Sequence, residues 1–236
     1  MNIGNLTKAS IFTALVFVAT TIIRVPIPAT GGYFNFGESV IYAAALLYGP
    51  LVGGLAGGIG ASIADITGGY LIFAPGTFII KLFEGIITGY AGNKIRAKTK
   101  AVTLWRALSV FFGASLGAAT YYIGTNYMAV FGTALLDQLL WAAVGLFLGI
   151  FIIFVGFIPQ TETSWQTTAI ILGGTGMVIG YFLYESLLAF LVLPKIYAIG
   201  EIPANIGQML VGMAIALPVL RAAQRALPLE QKLKVN

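Results

Sequence analysis

The sequence predicts an all-α, polytopic transmembrane helical bundle, and three observations carry that prediction. Of its 236 residues, 58% are hydrophobic and 9% charged, where water-soluble domains carry roughly a quarter charged residues. Its apolar residues fall in runs of the length a helix needs to cross a bilayer, about 20 residues. Its basic residues cluster between alternate runs, as membrane topology signals do. With a mean hydropathy of +0.93 and no long polar stretch, residues 1–236 are expected to form a single transmembrane domain whose main solvent is lipid.

Reading along the chain gives eight expected spans. The first is Lys8–Val25; it lacks a small-x-small cleavage site and is expected to be retained. The second, Glu38–Tyr48, is short and ends at Gly49-Pro50, a pair that removes a backbone donor and disfavours helix before it. A turn is therefore expected there, with the third span over Leu51–Thr67. The others are Pro75–Gly92, Thr103–Val130, Ala134–Phe157, Gln166–Leu193 and Ile202–Ala222. Eight spans put both termini on one side. Lys8, Lys94, Arg96, Lys98, Lys100, Arg106, Arg221, Arg225, Lys232 and Lys234 then share that side, which makes it cytoplasmic. Arg24 and Lys195 fall opposite. The run "NKIRAKTK" reads as a topology signal, and no nucleic-acid partner is expected.

Gly53 and Gly57, and Gly54 and Gly58, are spaced by four in "GPLVGGLAGGIGAS". Small residues at that spacing let helices approach closely in lipid. A phosphate-binding loop would need Gly-Lys-Ser/Thr after the glycines, which is missing. Histidine and cysteine are both absent. Thiolate chemistry, the usual zinc sites and His-based triads are thereby excluded. No metal, cofactor or enzymatic activity is expected.

Ionisable residues inside spans are expensive and point to a cavity or a partner. In the fourth span Thr77, Lys81, Glu84 and Thr88 are spaced 4, 3 and 4, one stripe on one helix face. Ser62 and Asp65 lie near the outer end of the third. Tyr181 and Glu185, with Tyr184 beside them, sit in the seventh, and Glu201, Asn205 and Gln208 form a stripe in the eighth. These polar groups converge on one depth, as a pocket open to the outside requires. Plainer readings stand beside this one. Lys81 and Glu84 can pair with each other at i, i+3; Glu38 and Glu201 can be acids at helix starts, favoured by the macrodipole. The loop "PIPATGGYFNFGES", stopped by Pro26 and Pro28, offers Tyr33, Phe34, Asn35 and Phe36 either to a flat ligand or to an interfacial aromatic belt.

The stretches "GGYFNFGESVIYAAALLYGPLVGGLAGGIGASIADITGGYLIFAPGTFIIKLFEGIITG", "GYFLYESLLAF" and "EIPANIGQMLVG" resemble the substrate-binding S component of energy-coupling factor (ECF) vitamin transporters, nearest the riboflavin type. The resemblance covers about residues 5–97 and 166–222. It implies a six-helix core that captures a vitamin from outside: riboflavin, a hydroxymethylpyrimidine or thiamine-like ligand, or pantothenate. It implies a membrane T component and two cytoplasmic ATPases as partners, and a prokaryotic plasma membrane as location. Carried over by position, it selects Tyr33, Asn35, Phe36, Lys81, Glu84, Tyr181, Tyr184, Glu185, Asn205 and Gln208 as substrate-binding residues; the polar stripes add Asp65. Residues of about 101–160 then read as an inserted helix pair, and 223–236 as a basic cytoplasmic tail. The small-residue AxxxA signature of such components is not intact in the first span, where no two of Ala9, Ala14 and Ala19 are four apart. The alternative function is a stand-alone proton-coupled transporter of a small polar metabolite, with Glu84, Glu185 or Asp65 as carrier.

Overall fold

A computed structural model describes residues 3–27, 31–96, 102–127, 133–157, 162–191 and 196–226. Pro28, Lys98, Lys100, Lys195, Lys232 and Lys234, and the expected span ends at Val130 and Leu193, lie outside them. The described residues form eight helices: α1 (Ile3–Ile22), α2 (Gly37–Tyr48), α3 (Pro50–Gly68), α4 (Ala74–Arg96), α5 (Val102–Tyr127), α6 (Ala134–Phe157), α7 (Glu162–Leu191) and α8 (Ile196–Ala226). By length and composition α1, α3, α6, α7 and α8 are able to cross a membrane. The others fall short of that measure among the described residues. α2 is too short, and α4 carries its charged stripe through the middle.

A two-stranded antiparallel hairpin, β1 (Val25–Ile27) and β2 (Gly32–Phe34), is the one departure from helix among the described elements. Val25 pairs with Phe34, Pro26 with Tyr33 and Ile27 with Gly32. Three-residue strands are too short to show a period of two, so the sequence reads as a loop there. Gly31, at φ +76°, makes the turn and donates its N–H to the Ile27 carbonyl at 3.0 Å.

The chain divides into two compact units, Met1–Lys94 with Ala169–Asn236, and Ile95–Thr168. In the first, small residues set the spacing. Ala9, Val16, Ile41, Ala44, Val52, Ala56 and Ala61 make a buried cluster from α1, α2 and α3. α2 is buried along nearly its whole length and also packs on α8, so its short apolar run serves as core. Gly49, at φ +90°, closes the turn to α3 by donating to the Ala45 carbonyl at 2.9 Å, and Pro50 starts α3 where its missing N–H costs nothing. At the far end Gly69 is left-handed and Tyr70 N–H reaches back to the Asp65 carbonyl at 2.8 Å, which stops α3.

The glycine stripe of α3 faces α4. A Cβ at Gly54 would stand 2.8 Å from the Leu82 carbonyl oxygen, one at Gly58 2.8 Å from that of Phe78, and one at Gly57 2.9 Å from that of Lys81. On another side of α4, added Cβ atoms at Gly173 and Gly180 of α7 would meet Thr88 and Ile80. α4 is thus held tightly between α3 and α7, and its Thr77–Lys81–Glu84–Thr88 stripe is buried, each member 3% exposed or less. Gly57→Val is expected to push α4 away and to cost about 1–3 kcal/mol, as overpacking does. A thermal midpoint in detergent equal to that of the wild type would show that this seam does not hold the helices.

In the second unit α5 and α6 form a close pair. A Cβ at Gly113 would stand 2.6 Å from the Gly149 carbonyl oxygen, and one at Gly145 2.5 Å from that of Gly117. Leu146, Phe147, Ile150 and Phe154 point outward and are exposed, a surface suited to hydrocarbon.

Candidate functional site

The stripe on α4 meets acids from other helices. Lys81 Nζ forms ion pairs with Glu38 of α2 and, at 3.0 Å, with Glu84 one turn on. Tyr42 of α2 donates its hydroxyl to Glu84 Oε1 at 2.7 Å. Glu38 lies in the first turn of α2, as the helix-start reading expects, but its carboxylate is spent on Lys81. Both the i, i+3 pair and a cross-helix pair therefore exist. Lys81 also stands 5.4 Å from the Tyr181 ring centroid, and Tyr181 donates its hydroxyl to Thr77 Oγ1 at 3.0 Å.

The hairpin adds a polar wall. Asn35 donates from its backbone N–H (3.1 Å) and from Nδ2 (2.5 Å) to Gln208 Oε1 of α8, and its own Oδ1 accepts from Gly37 N–H at 2.8 Å. Gln208 Nε2 in turn donates to Asn205 Oδ1 at 3.2 Å. Tyr33 donates to Asp65 Oδ1 at 2.5 Å. Its ring lies 4.6 Å from that of Tyr70, and the Arg24 guanidinium stacks on both, 4.7 and 5.4 Å from the centroids. Arg24 Nη2 also donates to the Ala64 carbonyl at 2.9 Å. The hairpin and the turn after α3 are thereby tied together by one cation.

Burial, and then the adjacent Asp65 carboxylate, push the Tyr33 phenol well above its ordinary value of 10.0. The hydroxyl stays a donor through the neutral range. Because the folded value is raised, the stability this group confers is complete below about pH 10, where an unfolded tyrosine begins to ionise, and drains as pH rises beyond it. Thermal midpoints of wild type and Tyr33→Phe are expected to differ most below pH 10 and to converge above it; a constant gap would mean that the bond to Asp65 contributes little.

These groups surround a small cavity of about 50 Å³ inside the first unit. Of the eleven residues selected as substrate-binding, Tyr33, Asn35, Asp65, Lys81, Tyr181, Glu185, Asn205 and Gln208 line it, and Thr77 and Glu201 of the polar stripes do so too. Phe36, Glu84 and Tyr184 do not. Phe36 packs edge-on against Phe34; Glu84 stands behind Lys81 as its counter-ion; Tyr184 donates to the Ile72 carbonyl at 2.6 Å. The lining also includes Glu38. The helix-start reading of Glu201 is corrected: α8 begins at Ile196, and its first turn holds no acid. Thr20, Ile41, Tyr70 and Phe73 complete much of the wall. Thr20 and Ile41 gave no signal, being ordinary residues of apolar runs that only packing brings to the cavity. Acids within spans do give one: Glu201 is part of the polar stripe of the eighth span, and Glu38 carries the same signal.

Three buried oxygens on this wall have no hydrogen-bond partner among the described residues: Thr20 Oγ1, Glu38 Oε2 and Glu185 Oε2. Buried polar atoms are normally paired, because leaving one unpaired costs about 1–3 kcal/mol. Among the described residues no group of three or more Asp or Glu is arranged to hold a metal ion. The cavity can therefore offer hydrogen-bond acceptors, aromatic faces and one ammonium group to a small molecule.

Residues 1–143 match the family model for the ECF-type riboflavin transporter, S component. Over 75 residues the chain is 51% identical to an uncharacterized protein in a gap 3′ region of Pyrococcus woesei, covering 32% of this chain and 50% of that protein. The chain thus spans half the length of this relative. Over 158 residues it is 27% identical to the thiamine precursor transporter HmpT of Lactococcus lactis subsp. cremoris (strain MG1363), covering 66% of this chain and 83% of that protein.

Proposed function

Since the chain belongs to the ECF-type riboflavin transporter S component family, a family of multi-pass membrane proteins, we propose that it is the high-affinity vitamin-binding subunit of an ATP-driven importer. The observation that carries this reading is the cavity of the first unit. Six helices and the hairpin bring residues to it, and three of its buried oxygens lack hydrogen-bond partners among the described residues. Tyr33, Tyr70, Phe73 and Tyr181 would stack on a flat ring, while Asn205, Gln208 and the acids bond its edges. Riboflavin is suggested by the family's name and a thiamine precursor by the name of HmpT.

The remaining parts of the reading follow from it. Both termini face the cytoplasm, where the basic residues cluster, and the plasma membrane holds the protein. A T component and two ATPases supply energy and contact it from within the membrane and from the cytoplasm. α5 and α6 are a pair inserted into a six-helix core. Since small-molecule sites typically enclose roughly 300–1,000 Å³, a vitamin enters this cavity of about 50 Å³ only if the hairpin and the turn after α3 swing outward. Binding then restores their contacts around the ligand.

Calorimetric titration of the purified protein in lipid nanodiscs with riboflavin, 4-amino-5-hydroxymethyl-2-methylpyrimidine, thiamine and pantothenate tests the proposal. One of them is expected to bind with a dissociation constant below about 1 μM, equivalent to about −8 kcal/mol. If none binds, the vitamin-binding reading fails. Uptake by vesicles holding this protein alone would instead favour a self-sufficient transporter.

A further inference from the structure

The charges around the cavity are unbalanced. Glu38, Asp65, Glu185 and Glu201 line it, and Lys81 is the one cationic side chain among its lining residues. That ammonium group is already engaged by Glu38 and by Glu84 behind it. Asp65 is served by the Tyr33 hydroxyl. Glu185 Oε2 and Glu38 Oε2 have no donor among the described residues, although the two residues are 4% and 0% exposed. Thr20 Oγ1, also unpartnered, lines the same space. A buried carboxylate oxygen without a donor is costly, and a cluster of like charges compounds the cost.

We infer that the ligand completes this wall with N–H donors or a positive charge: it is an amino-substituted nitrogen heterocycle, neutral or cationic, whose donor edge meets Glu185 and Glu38. This rests on the vitamin-binding reading and narrows its ligand class. The aromatic lining fits the flat ring, and a cationic ring over Tyr181 or Tyr33 gains a further attraction. The flavin ring of riboflavin offers a single ring N–H flanked by carbonyl acceptors, so it serves two neighbouring acceptor oxygens less well than an amino-substituted edge does. An anionic ligand such as pantothenate adds charge of the wrong sign to a wall already rich in carboxylates. Glu185 is the specificity-determining residue, because its free oxygen has no competing partner from the protein's described residues.

The test compares affinities in nanodiscs for 4-amino-5-hydroxymethyl-2-methylpyrimidine, thiamine, riboflavin and pantothenate, in the wild type and in Glu185→Gln. The aminopyrimidine or thiamine is expected to bind at least about 10-fold more tightly than riboflavin, and pantothenate weakest of all. Glu185→Gln, which replaces an acceptor oxygen by a donor, is expected to weaken the tightest ligand at least about 10-fold. Riboflavin or pantothenate binding tightest, or an unchanged affinity in Glu185→Gln, overturns the inference and leaves the vitamin-binding reading intact. No binding to any of the four overturns both. Should Glu185→Gln fail to fold, the order of the four wild-type affinities decides.

Discussion

Replacing Lys81 by methionine is expected to destabilise the protein by about 3–5 kcal/mol, the usual consequence of removing one partner from a buried ion pair. Glu38 and Glu84 are 0% and 1% exposed and share this one ammonium group. Without it, two carboxylates remain in a low-dielectric interior, and Tyr42 satisfies a single oxygen of one of them. The loss would be read as a fall in thermal midpoint in detergent. The double variant Lys81→Met/Glu38→Gln should recover part of it, because one uncompensated charge is gone and Glu84 keeps its bond from Tyr42. Equal stability of Lys81→Met and wild type would mean that the network does not support the fold and that Lys81 is kept only for the ligand. The same reasoning explains why a charged pair in the middle of "FIIKLFEGI" is tolerated. Neither group is left to lipid, since the glycines of α3 and α7 bring neighbouring helices close enough to enclose both.

Asn35→Ala is expected to reduce vitamin affinity at least about 10-fold, equivalent to about 1.4 kcal/mol, with a loss of about 1–3 kcal/mol in stability. Asn35 is 8% exposed and joins the hairpin to two helices at once. Its Oδ1 accepts from the N–H of Gly37 at the start of α2, and its Nδ2 donates to Gln208 of α8. Alanine at this position leaves the Gly37 N–H without its acceptor and Gln208 Oε1 with the backbone donor alone. The hairpin wall would then be free to move, and the ligand would bear the cost of ordering it. The two effects separate experimentally: calorimetry reads the affinity and thermal unfolding the stability. Unchanged affinity would show that the hairpin does not form the binding wall. Asn35→Asp, which keeps the acceptor for Gly37 but loses the donor to Gln208, should fall between alanine and wild type.

Particular residues show how far the site was legible in the chain. The α4 stripe follows from helical spacing alone, and it is buried as a unit. Of the eleven residues selected as substrate-binding, eight line the cavity; Asp65, Lys81, Tyr181, Glu185, Asn205 and Gln208 stand out because polarity within a span is costly, whereas Tyr33 and Asn35 come from the loop and the family resemblance. Glu201 shows where local reading fails. "GEIPAN" looks like a helix start, with an acid ahead of a proline, yet α8 begins at Ile196 and carries Pro203 inside it. Packed helices can supply what a proline removes, and nothing in a local window records that neighbours are present. The hairpin was missed for a related reason. Its strands pair across a four-residue gap and are held by Arg24, just before β1, and by Asp65 and Gln208 from two separate helices.

Hydropathy and spacing, properties of neighbouring residues, determined by themselves that this is a helical membrane protein, where most of its helices run, and which polar residues stand out from lipid. Only the tertiary structure decided what each polar residue faces. Helical spacing alone allowed Lys81 to meet Glu84, and it does; close packing of the helices added Glu38, over forty positions away in the chain. Only the tertiary structure, likewise, left Glu185 Oε2 and Glu38 Oε2 without partners among the described residues. Pairing between buried groups is set by distances between helices, and those depend on the packing of residues far apart in the chain.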